Sequence, residues 1–292
     1  MYKSLFLTLA LVSCEKDEAG PDIIPPRDRS EQEIADQEAL QQYLDNHFYN
    51  YEDFENPTEA FDYNIVLDSI GAANSDKTPL SESNLLETKK VTFEGVEYTY
   101  YVLKVREGAG AQPKFTDSTF VSYRGELLNQ SVFDASSSPL WFDLVRTIRG
   151  FSLAIPEFRG ASGFDVQPDN TVVWENDYGI GAVFLPSGLG YFSNAQSAIP
   201  PYSPLVFTFD LYGVNEADHD QDGIPSWMED INGDRDIAND DTDGDGTPNF
   251  ADTDDDGDFI PTREEIAIDA EGNLTLTDSN NDGTPDYLDP NI

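Results

Sequence analysis

Apolar residues first recur at helical spacing near the start of the chain. These residues are Ile34, Leu40, Tyr43 and Leu44. Ser30 and Glu33 stand at the spacing of a capping box, in which the two side chains bind free backbone N–H groups. The pattern predicts a helix over 31–47. From 51 to 83 the apolar runs are short and are interrupted by Asn, Pro, Gly and Ser, so this stretch is predicted to be rich in loops.

From residue 88 the pattern changes to runs of β-branched and aromatic residues bounded by Gly, Pro and Asn. These runs lie at 91–96, 98–105, 118–123 and 205–212, and each predicts a strand. A helix is predicted to begin near Ile148 and to include Phe158, with Pro156 in its first turns or bending it. Many strands with one helix indicate an antiparallel α+β domain over 88–215, preceded by a separate segment over 30–87.

Beyond residue 215 the apolar periodicity ends and acidic residues dominate. The 292-residue chain has a formal net charge of −41, and residues 216–292 contain 25 Asp and Glu against 2 Lys and Arg. Because phosphate groups would be repelled, this charge argues against nucleic acid and anionic lipid as partners and favours divalent cations. With 38% hydrophobic residues, the chain can nevertheless bury a core.

Five windows of this acidic tail (216–292) repeat one spacing of oxygen-bearing side chains. Positions 1, 3, 5 and 12 of such a window converge on one point when position 6 allows a sharp turn, and calcium takes about six to eight oxygens. The predicted ligands are Asp218, Asp220, Asp222 and Glu229; Asp230, Asn232, Asp234, Asp236 and Asp241; Asp241, Asp243, Asp245 and Asp252; Asp252, Asp254, Asp256, Asp258 and Glu264; and Asp278, Asn280, Asp282 and Asp289.

Glycine occupies the sixth position in four of these windows, and Arg235 occupies it in the other. Consecutive windows share Asp241 and Asp252, so the loops abut without linking helices, which resembles thrombospondin type 3 repeats. That resemblance implies an irregular, calcium-bound tail that serves as a stiff spacer, with calcium as a structural cofactor whose binding couples to folding. The alternative is a solvated acidic tail. His219, inside the first window, is expected to face solvent.

The N-terminus has the pattern of an export signal. Residues 1–13 combine Lys3 with an apolar run over 5–12 that is too short to span a membrane. The run ends in Leu-Val-Ser followed by Cys14, which resembles the lipobox of bacterial lipoproteins. The resemblance implies a lipid on Cys14, a Pro-rich tether over 14–29 and attachment to the outer membrane of the cell envelope. An ordinary secretory signal is the alternative.

The strand-rich domain carries five short segments in a distinctive order. They are Val-Ser-Tyr-Arg-Gly at 121–125, Val-Phe-Asp-Ala-Ser at 132–136, Ile-Arg-Gly-Phe at 148–151, Leu-Pro-Ser-Gly-Leu-Gly-Tyr at 185–191, and Ile-Pro-Pro at 199–201 before Leu-Val-Phe at 205–207. With these segments, the chain resembles FKBP-type peptidyl-prolyl isomerases over about 90–213. The resemblance implies an antiparallel half-barrel sheet wrapped on a short helix.

These residue types suit a pocket for proline. Rotation about an X-Pro bond is slow because amide resonance imposes a barrier of about 18–20 kcal/mol. A twisted amide loses that charge separation, so a dry aromatic slot favours it over the planar form more than water does. Such catalysis needs no nucleophile and no cofactor. The residues predicted to form the site are Tyr123, Phe133, Asp134, Ile148, Phe151, Tyr191, Ile199 and Phe207.

The family resemblance also implies individual roles within this site. The backbone N–H of Ile199 and the hydroxyl of Tyr191 are expected to hold substrate carbonyl groups, and Asp134 is expected to orient Tyr123. The sequence independently predicts a partner for Asp134, because a carboxylate beside Phe133 in an apolar run is costly to desolvate without one.

Three departures from the family pattern bear on activity. Leu140 stands where members commonly carry another pocket aromatic, which predicts a softer wall. Phe151 replaces a tryptophan. The stretch between Phe151 and Pro186 is longer than in small members, and it is predicted to extend a hairpin or cover the site.

The whole arrangement is similar to gliding-motility-associated FKBP-type lipoproteins. That similarity implies a folding factor that acts on exported, proline-containing polypeptides. The alternative function is a non-catalytic binding module of the same fold, presented on a calcium-stiffened stalk. Leu140 and the longer stretch favour the binding module, whereas Asp134, Tyr191 and Ile199 favour the isomerase.

Overall fold

The computed structural model describes residues 25–292, so the predicted signal peptide, Cys14 and most of the tether lie outside the described residues. The N-terminal segment consists of helix α1 (Arg29–Asn46), strand β1 (His47–Tyr49), helix α2 (Tyr51–Glu55) and strand β2 (Leu67–Ser69). Strands β1 and β2 pair antiparallel. Helix α1 agrees with the predicted helix to within two residues. No helix among residues 25–292 has the length and apolar character needed to cross a membrane.

The start of α1 differs from the predicted capping box. Asp28 is the N-cap, and its carboxylate accepts hydrogen bonds from the backbone N–H groups of Ser30 and Glu31. Glu33 turns inward instead, and its Oε1 accepts the backbone N–H of Thr99 at 2.9 Å. The capping prediction was therefore wrong, because tertiary contact recruits Glu33 away from the helix terminus.

A six-stranded antiparallel sheet forms the centre of the molecule. Its strands are β3 (Leu86–Phe93), β4 (Val96–Arg106), β5 (Ser118–Leu127), β6 (Val132–Asp143), β9 (Gly179–Leu185) and β10 (Leu205–Asn215), and helix α3 (Arg149–Ala154) lies between β6 and β9 in the chain. The spatial order is β3-β4-β9-β10-β5-β6. The structure therefore confirms a mixed fold of helix and antiparallel sheet.

The two faces of the sheet bury different helices. Helix α3 packs on one face, where Phe151 and Leu153 meet Val183, Phe209 and other apolar residues of the strands. On the opposite face, Leu40 and Leu44 of α1 join a second cluster with Phe184. Strand β9 is buried along its whole length because it lies between these two layers. The predicted helix over Ile148–Phe158 is shorter than expected, since Pro156 lies in a 3-10 turn that follows α3.

The longer stretch before Pro186 forms a two-stranded hairpin. Its strands are β7 (Phe164–Val166) and β8 (Val172–Trp174), which pair antiparallel. The Trp174 ring lies 5.8 Å from the ring of Phe120 and 6.2 Å from that of Tyr212. The hairpin therefore packs against the sheet through aromatic contacts.

The tail is irregular apart from short 3-10 turns and one hairpin, β11 (Ile266–Ile268) and β12 (Leu274–Leu276). It contacts the sheet domain at several points. The backbone N–H of Ala217 donates to Asp117 at 3.3 Å, and Nε2 of His219 lies 3.3 Å from Asp143. The ammonium group of Lys114 lies 4.6 Å from the ring centre of Trp227.

Candidate functional site

All eight predicted site residues line one cavity of about 580 Å³ on the α3 face of the sheet. Strands β5, β6 and β10 supply Tyr123, Phe133, Asp134 and Phe207. The start of α3 supplies Ile148 and Phe151, and the chain between β9 and β10 supplies Tyr191 and Ile199. Elements far apart in sequence therefore converge on one hollow.

Aromatic rings meet edge to face around this cavity. The Phe207 ring centre lies 5.4 Å from that of Phe133 and 5.6 Å from that of Phe151, at interplanar angles of 81° and 69°. Such tilted contacts suit the ring quadrupoles and fix the side chains against one another. These rings form the apolar side of the cavity.

Gly125 makes room for this slot. A Cβ atom at Gly125 would lie 2.5 Å from the Phe133 ring and 2.9 Å from the Phe207 ring, both closer than any real contact. Gly125 pairs with Phe207 on β10 and with Asp134 on β6. The glycine therefore lets the two phenylalanine rings approach the backbone of β5.

Tyr123 and Asp134 form the polar wall of the cavity. The Tyr123 hydroxyl donates to Asp134 Oδ2 at 2.6 Å. Burial raises the pKa of Tyr123 above its ordinary value, and the hydrogen bond to Asp134 adds to the rise. The phenol therefore stays protonated and remains a donor. Asp134 itself is exposed, so the expected desolvation cost does not apply to it, although the expected partner is present.

The opposite rim carries the groups expected to hold substrate carbonyls. The backbone N–H of Ile199 donates to the carbonyl of Gln196 at 3.2 Å, which is a long bond that an incoming carbonyl can replace or share. Among residues 25–292 no hydrogen-bond partner accepts from the Tyr191 hydroxyl, and Tyr191 is half-buried. Gln196, which sequence reasoning missed, lines the cavity beside Ile199.

Phe142 is the most important aromatic residue that sequence reasoning missed. Its ring centre lies 5.3 Å from that of Tyr123 and 6.1 Å from that of Phe151, and it lines the cavity. Leu140 itself does not line the cavity, so the softer wall predicted there stays a prediction. Leu140 is 47% exposed and lies next to a register shift between β5 and β6, which sequence alone does not reveal.

The hairpin of β7 and β8 does not cover this cavity. None of its residues lines the cavity, and Phe164, Val166 and Val173 are exposed. Of the two predicted outcomes for the longer stretch, the hairpin is confirmed and the cover is wrong. The entrance therefore remains open on that side.

Five loops in the tail each contain the same hydrogen bond from a backbone N–H to an aspartate side chain. They span 218–229, 230–241, 241–252, 254–265 and 278–289, and we number them first to fifth. In each, the N–H of position 6 donates to the aspartate at position 1. Position 6 has a positive φ in all five, at Gly223, Arg235, Gly246, Phe259 and Gly283. The bond gives all five loops the same turn at position 6.

The fourth loop corrects the predicted register. It begins at Asp254 and not at Asp252, because Phe259 takes the position-6 conformation and its N–H binds Asp254. Position 12 is then Glu265, which is 8% exposed with both carboxylate oxygens unpartnered. Glu264, predicted to close this window, falls at position 11 of the observed register and is exposed. The glycine rule misled the prediction, since Phe259 adopts the turn that Gly257 was expected to provide.

Several carboxylate groups of these loops lie close enough to share a cation. Oxygen atoms lie within 4.8 Å of one another in four sets. The sets are Asp218, Asp220 and Asp222; Asp222, Glu229 and Asp255; Asp241, Asp243 and Asp245; and Asp254, Asp256 and Asp258. Two calcium–oxygen bonds of about 2.3–2.6 Å permit such spans, so the donor sets fit the ion. Asp255 was not among the predicted ligands.

Other predicted ligands make polar contacts within the tail. Asn280 donates to Asp282 and Asp289 in the fifth loop at 3.1 and 3.0 Å. Asp252 accepts the backbone N–H of Asp254, which places it between the third and fourth loops. His219 does not face solvent as expected, because its Nδ1 lies 2.8 Å from the hydroxyl of Ser226.

The chain is similar in sequence to curated isomerases. A probable FKBP-type 25 kDa peptidyl-prolyl cis-trans isomerase of Pseudomonas aeruginosa is 29% identical over 168 residues, which are 56% of this chain and 66% of that protein. The FKBP-type peptidyl-prolyl cis-trans isomerase FkpA of Aeromonas hydrophila is 28% identical over 55% of this chain and 57% of its own. The peptidyl-prolyl cis-trans isomerase Mip of Coxiella burnetii is 26% identical over 44% of this chain and 48% of its own. The chain thus spans about half to two thirds of these relatives.

Two solved structures align with the same region. A peptidyl-prolyl cis-trans isomerase from Pseudomonas syringae pv. tomato aligns with a TM-score of 0.36 and 23% identity over 47% of this chain and 85% of that chain. FkpA from Escherichia coli gives a TM-score of 0.36 and 24% identity over 46% of this chain and 54% of that chain. A family model described as BamM C-terminal matches residues 219–277, which lie within the tail.

Proposed function

We propose that this protein is an FKBP-type peptidyl-prolyl cis-trans isomerase that acts on proline-containing stretches of exported polypeptides. The observation that carries the proposal is the single aromatic cavity lined by Tyr123, Phe133, Phe151 and Phe207, with the Tyr123–Asp134 hydrogen bond in its wall. Sequence similarity to named isomerases supports it.

The mechanism follows from what the cavity offers a prolyl peptide. The pyrrolidine ring of the substrate proline packs between the aromatic rings and is desolvated there. The amide in its planar ground state loses hydration for its polarised C–N bond, whereas the twisted amide has less charge separation to lose. The Ile199 N–H and the Tyr191 hydroxyl hold carbonyl groups of the peptide on either side of the proline. The peptide chain is thereby fixed while the X-Pro bond rotates. No covalent intermediate is formed.

A peptide isomerisation assay tests this proposal. Wild-type protein is expected to accelerate cis-trans exchange of a short X-Pro peptide, measured by exchange NMR. Phe133→Ala removes one wall of the slot and is expected to lower kcat/KM by about tenfold or more, or about 1.4 kcal/mol per factor of ten. Phe164→Ala is the matched control, because Phe164 is 53% exposed on the hairpin away from the cavity.

The competing function is a binding module without turnover. It would bind the same peptide with chemical-shift changes at the cavity residues, yet leave the exchange rate equal to the uncatalysed rate. That result with folded wild-type protein would contradict the isomerase and favour the binding module. Phe142 adds an aromatic ring between those of Tyr123 and Phe151, and this more continuous apolar wall is the observation that favours turnover.

The tail is proposed to bind calcium as a structural cofactor. The support is a set of buried carboxylate oxygens that have no hydrogen-bond partner among residues 25–292, including oxygens of Asp220, Asp254, Asp256 and Glu265. A bound ion supplies positive charge that lets these groups stay ionised in the folded tail. The corrected ligand set of the fourth loop is Asp254, Asp256, Asp258 and Glu265.

Attachment to the outer membrane through a lipid on Cys14 is also proposed. Its support is the sequence before Cys14, which lies outside the described residues. Labelling of cells with a fatty-acid analogue is expected to mark the wild-type protein but not Cys14→Ser. Equal labelling of both proteins would contradict the proposal.

A further inference from the structure

One set of close carboxylates joins two loops of the tail that are distant in sequence. Asp222 and Glu229 belong to the first loop, whereas Asp255 belongs to the fourth. Each offers an oxygen within 4.8 Å of the others. The sequence repeat predicts ligands only within a loop, so it gave no reason to expect Asp255 here.

These three residues are among the most deeply buried charged groups of the tail. Asp222, Glu229 and Asp255 are 2%, 0% and 1% exposed. Within the described part of the chain, both oxygens of Glu229, both of Asp255 and Oδ2 of Asp222 have no hydrogen-bond partner. Ionised carboxylates held this way destabilise the fold unless a cation compensates them.

The turn of the fourth loop does not require a carboxylate at Asp255. It occupies position 2, and its backbone N–H donates to the hydroxyl of Thr262 at position 9. The equivalent backbone bond forms in the third loop, where position 2 is Thr242. The backbone N–H of position 2 and the side chain of position 9 therefore hold this part of the loop, and the Asp255 carboxylate is free to approach the first loop.

The surroundings close this centre from water. Tyr287 is 2% exposed, and burial, followed by the charges of Asp255, Glu229 and Asp222, raises its pKa. Ile224, also fully buried, follows Asp222 and Gly223 in the first loop. A small, dry, all-oxygen site of net negative charge suits a hard divalent cation of low hydration cost, which favours calcium over magnesium.

We propose that Asp222, Glu229 and Asp255 form an inter-loop calcium centre that ties the first loop of the tail to the fourth. This proposal rests on the proposed calcium-binding function of the tail and adds to it a ligand and a role. The ion is a cross-link between segments about thirty residues apart, since it compensates three carboxylates that would otherwise repel one another.

The test uses the full-length chain with Asp255→Asn, and Glu264→Gln as the matched control. Both variants remove one negative charge from the fourth loop, but Glu264 is exposed and belongs to no cluster. Bound calcium is counted by equilibrium dialysis, and the midpoint of thermal unfolding is measured in calcium chloride, in magnesium chloride and in EDTA.

Asp255→Asn is expected to bind one calcium fewer than wild type and to lose several degrees of the calcium-induced rise in midpoint. In EDTA the same variant is expected to unfold at or above the wild-type midpoint, because one of three repelling charges is gone. Glu264→Gln is expected to match wild type in calcium. Magnesium at equal concentration is expected to give a smaller rise than calcium.

The outcomes separate this centre from the wider proposal. If wild type binds no calcium, the calcium function of the tail fails, and the inter-loop centre fails with it. If wild type binds calcium but Asp255→Asn keeps the full count and the full rise in midpoint, only the inter-loop centre is overturned. A drop in midpoint of Asp255→Asn that is equal in calcium and in EDTA would also overturn it, since that marks a packing role.

Discussion

Glu33 carries a buried carboxyl group between α1 and the sheet. Its Oε1 accepts hydrogen bonds from the backbone N–H of Thr99 and from the side chain of Gln37, both at 2.9 Å. Its Oε2 is buried without a partner. Burial, only partly offset by these hydrogen bonds, raises the pKa of Glu33 from 4.5 to about 7. The folded protein therefore holds a proton on Glu33 that the unfolded chain releases at a lower pH.

This raised pKa predicts a stability that depends on pH. Between about pH 4.5 and 7 the folded state binds more protons at Glu33 than the unfolded state, so the free energy of unfolding falls as the pH rises. Glu33→Gln removes this dependence while keeping an acceptor for Thr99. From pH 5.5 to 8 the variant is expected to gain at most about 2 kcal/mol relative to wild type.

Urea unfolding at several pH values, with calcium constant, measures this gain. Glu38→Gln, on the exposed side of the same helix, is the control and should run parallel to wild type. Parallel curves for wild type and Glu33→Gln would contradict the account of Glu33.

At the residue scale, the sequence allowed prediction of site residues that lie in short motifs. Site residues whose position depends on long-range packing were missed. The cavity residues could be found because segments such as Phe133-Asp134 keep a recognisable local order. Phe142 was missed because a register shift between β5 and β6 decides which side chain reaches the cavity. Glu265 was missed because Phe259, with a φ of 77°, takes a conformation that sequence rules assign to glycine. Asp255 was missed because its carboxylate approaches a loop distant in sequence.

At the scale of elements, the hairpin of β7 and β8 separates stability from activity. Trp174 packs against Phe120 and Tyr212 on the sheet, yet lies outside the cavity. Trp174→Ala is therefore expected to lower the free energy of unfolding by about 1–3 kcal/mol, since the ring is only partly buried. The same change should leave kcat/KM for an X-Pro peptide within about twofold of wild type.

Thermal unfolding and the exchange assay on the same samples check this prediction. Val173→Ala, at an exposed neighbouring position, is the control for the hairpin itself. A large loss of activity in folded Trp174→Ala would mean that the hairpin contributes to substrate binding.

The elements missed from sequence have physical explanations. Strand β9 is buried on both faces, so it lacks the alternation of polar and apolar residues that identifies a half-buried strand. Strand β6 contains a run of three serines and a proline, which resembles a loop, and it pairs at the sheet edge with register shifts. By contrast, β4 and β10 are rich in β-branched and aromatic residues and were predicted close to their observed bounds.

At the scale of the whole molecule, Arg149 links the tail to the cavity. Its guanidinium donates to the backbone carbonyl groups of Arg235 and Asp234 in the second loop. Arg149 is also the first residue of α3, between Ile148 and Phe151 of the cavity. The geometry of the second loop is therefore coupled to the wall that the prolyl ring is proposed to contact.

This link predicts that calcium affects activity without being a catalytic group. Chelation should free the tail carboxylates to repel, so the tail expands while the sheet domain stays folded, which small-angle scattering and near-UV circular dichroism can measure. Loss of the Arg149 contact then loosens α3, and kcat/KM of wild type is expected to fall by about two- to tenfold.

Arg149→Gln should show the lower kcat/KM both with and without calcium, whereas Arg124→Gln, away from the tail, should respond as wild type. The second loop contacts Arg149 through backbone carbonyl groups, so the contact depends on the loop being folded and not on any one of its side chains. Equal wild-type activity in calcium and EDTA, with the tail visibly expanded, would show that the cavity works independently of the tail.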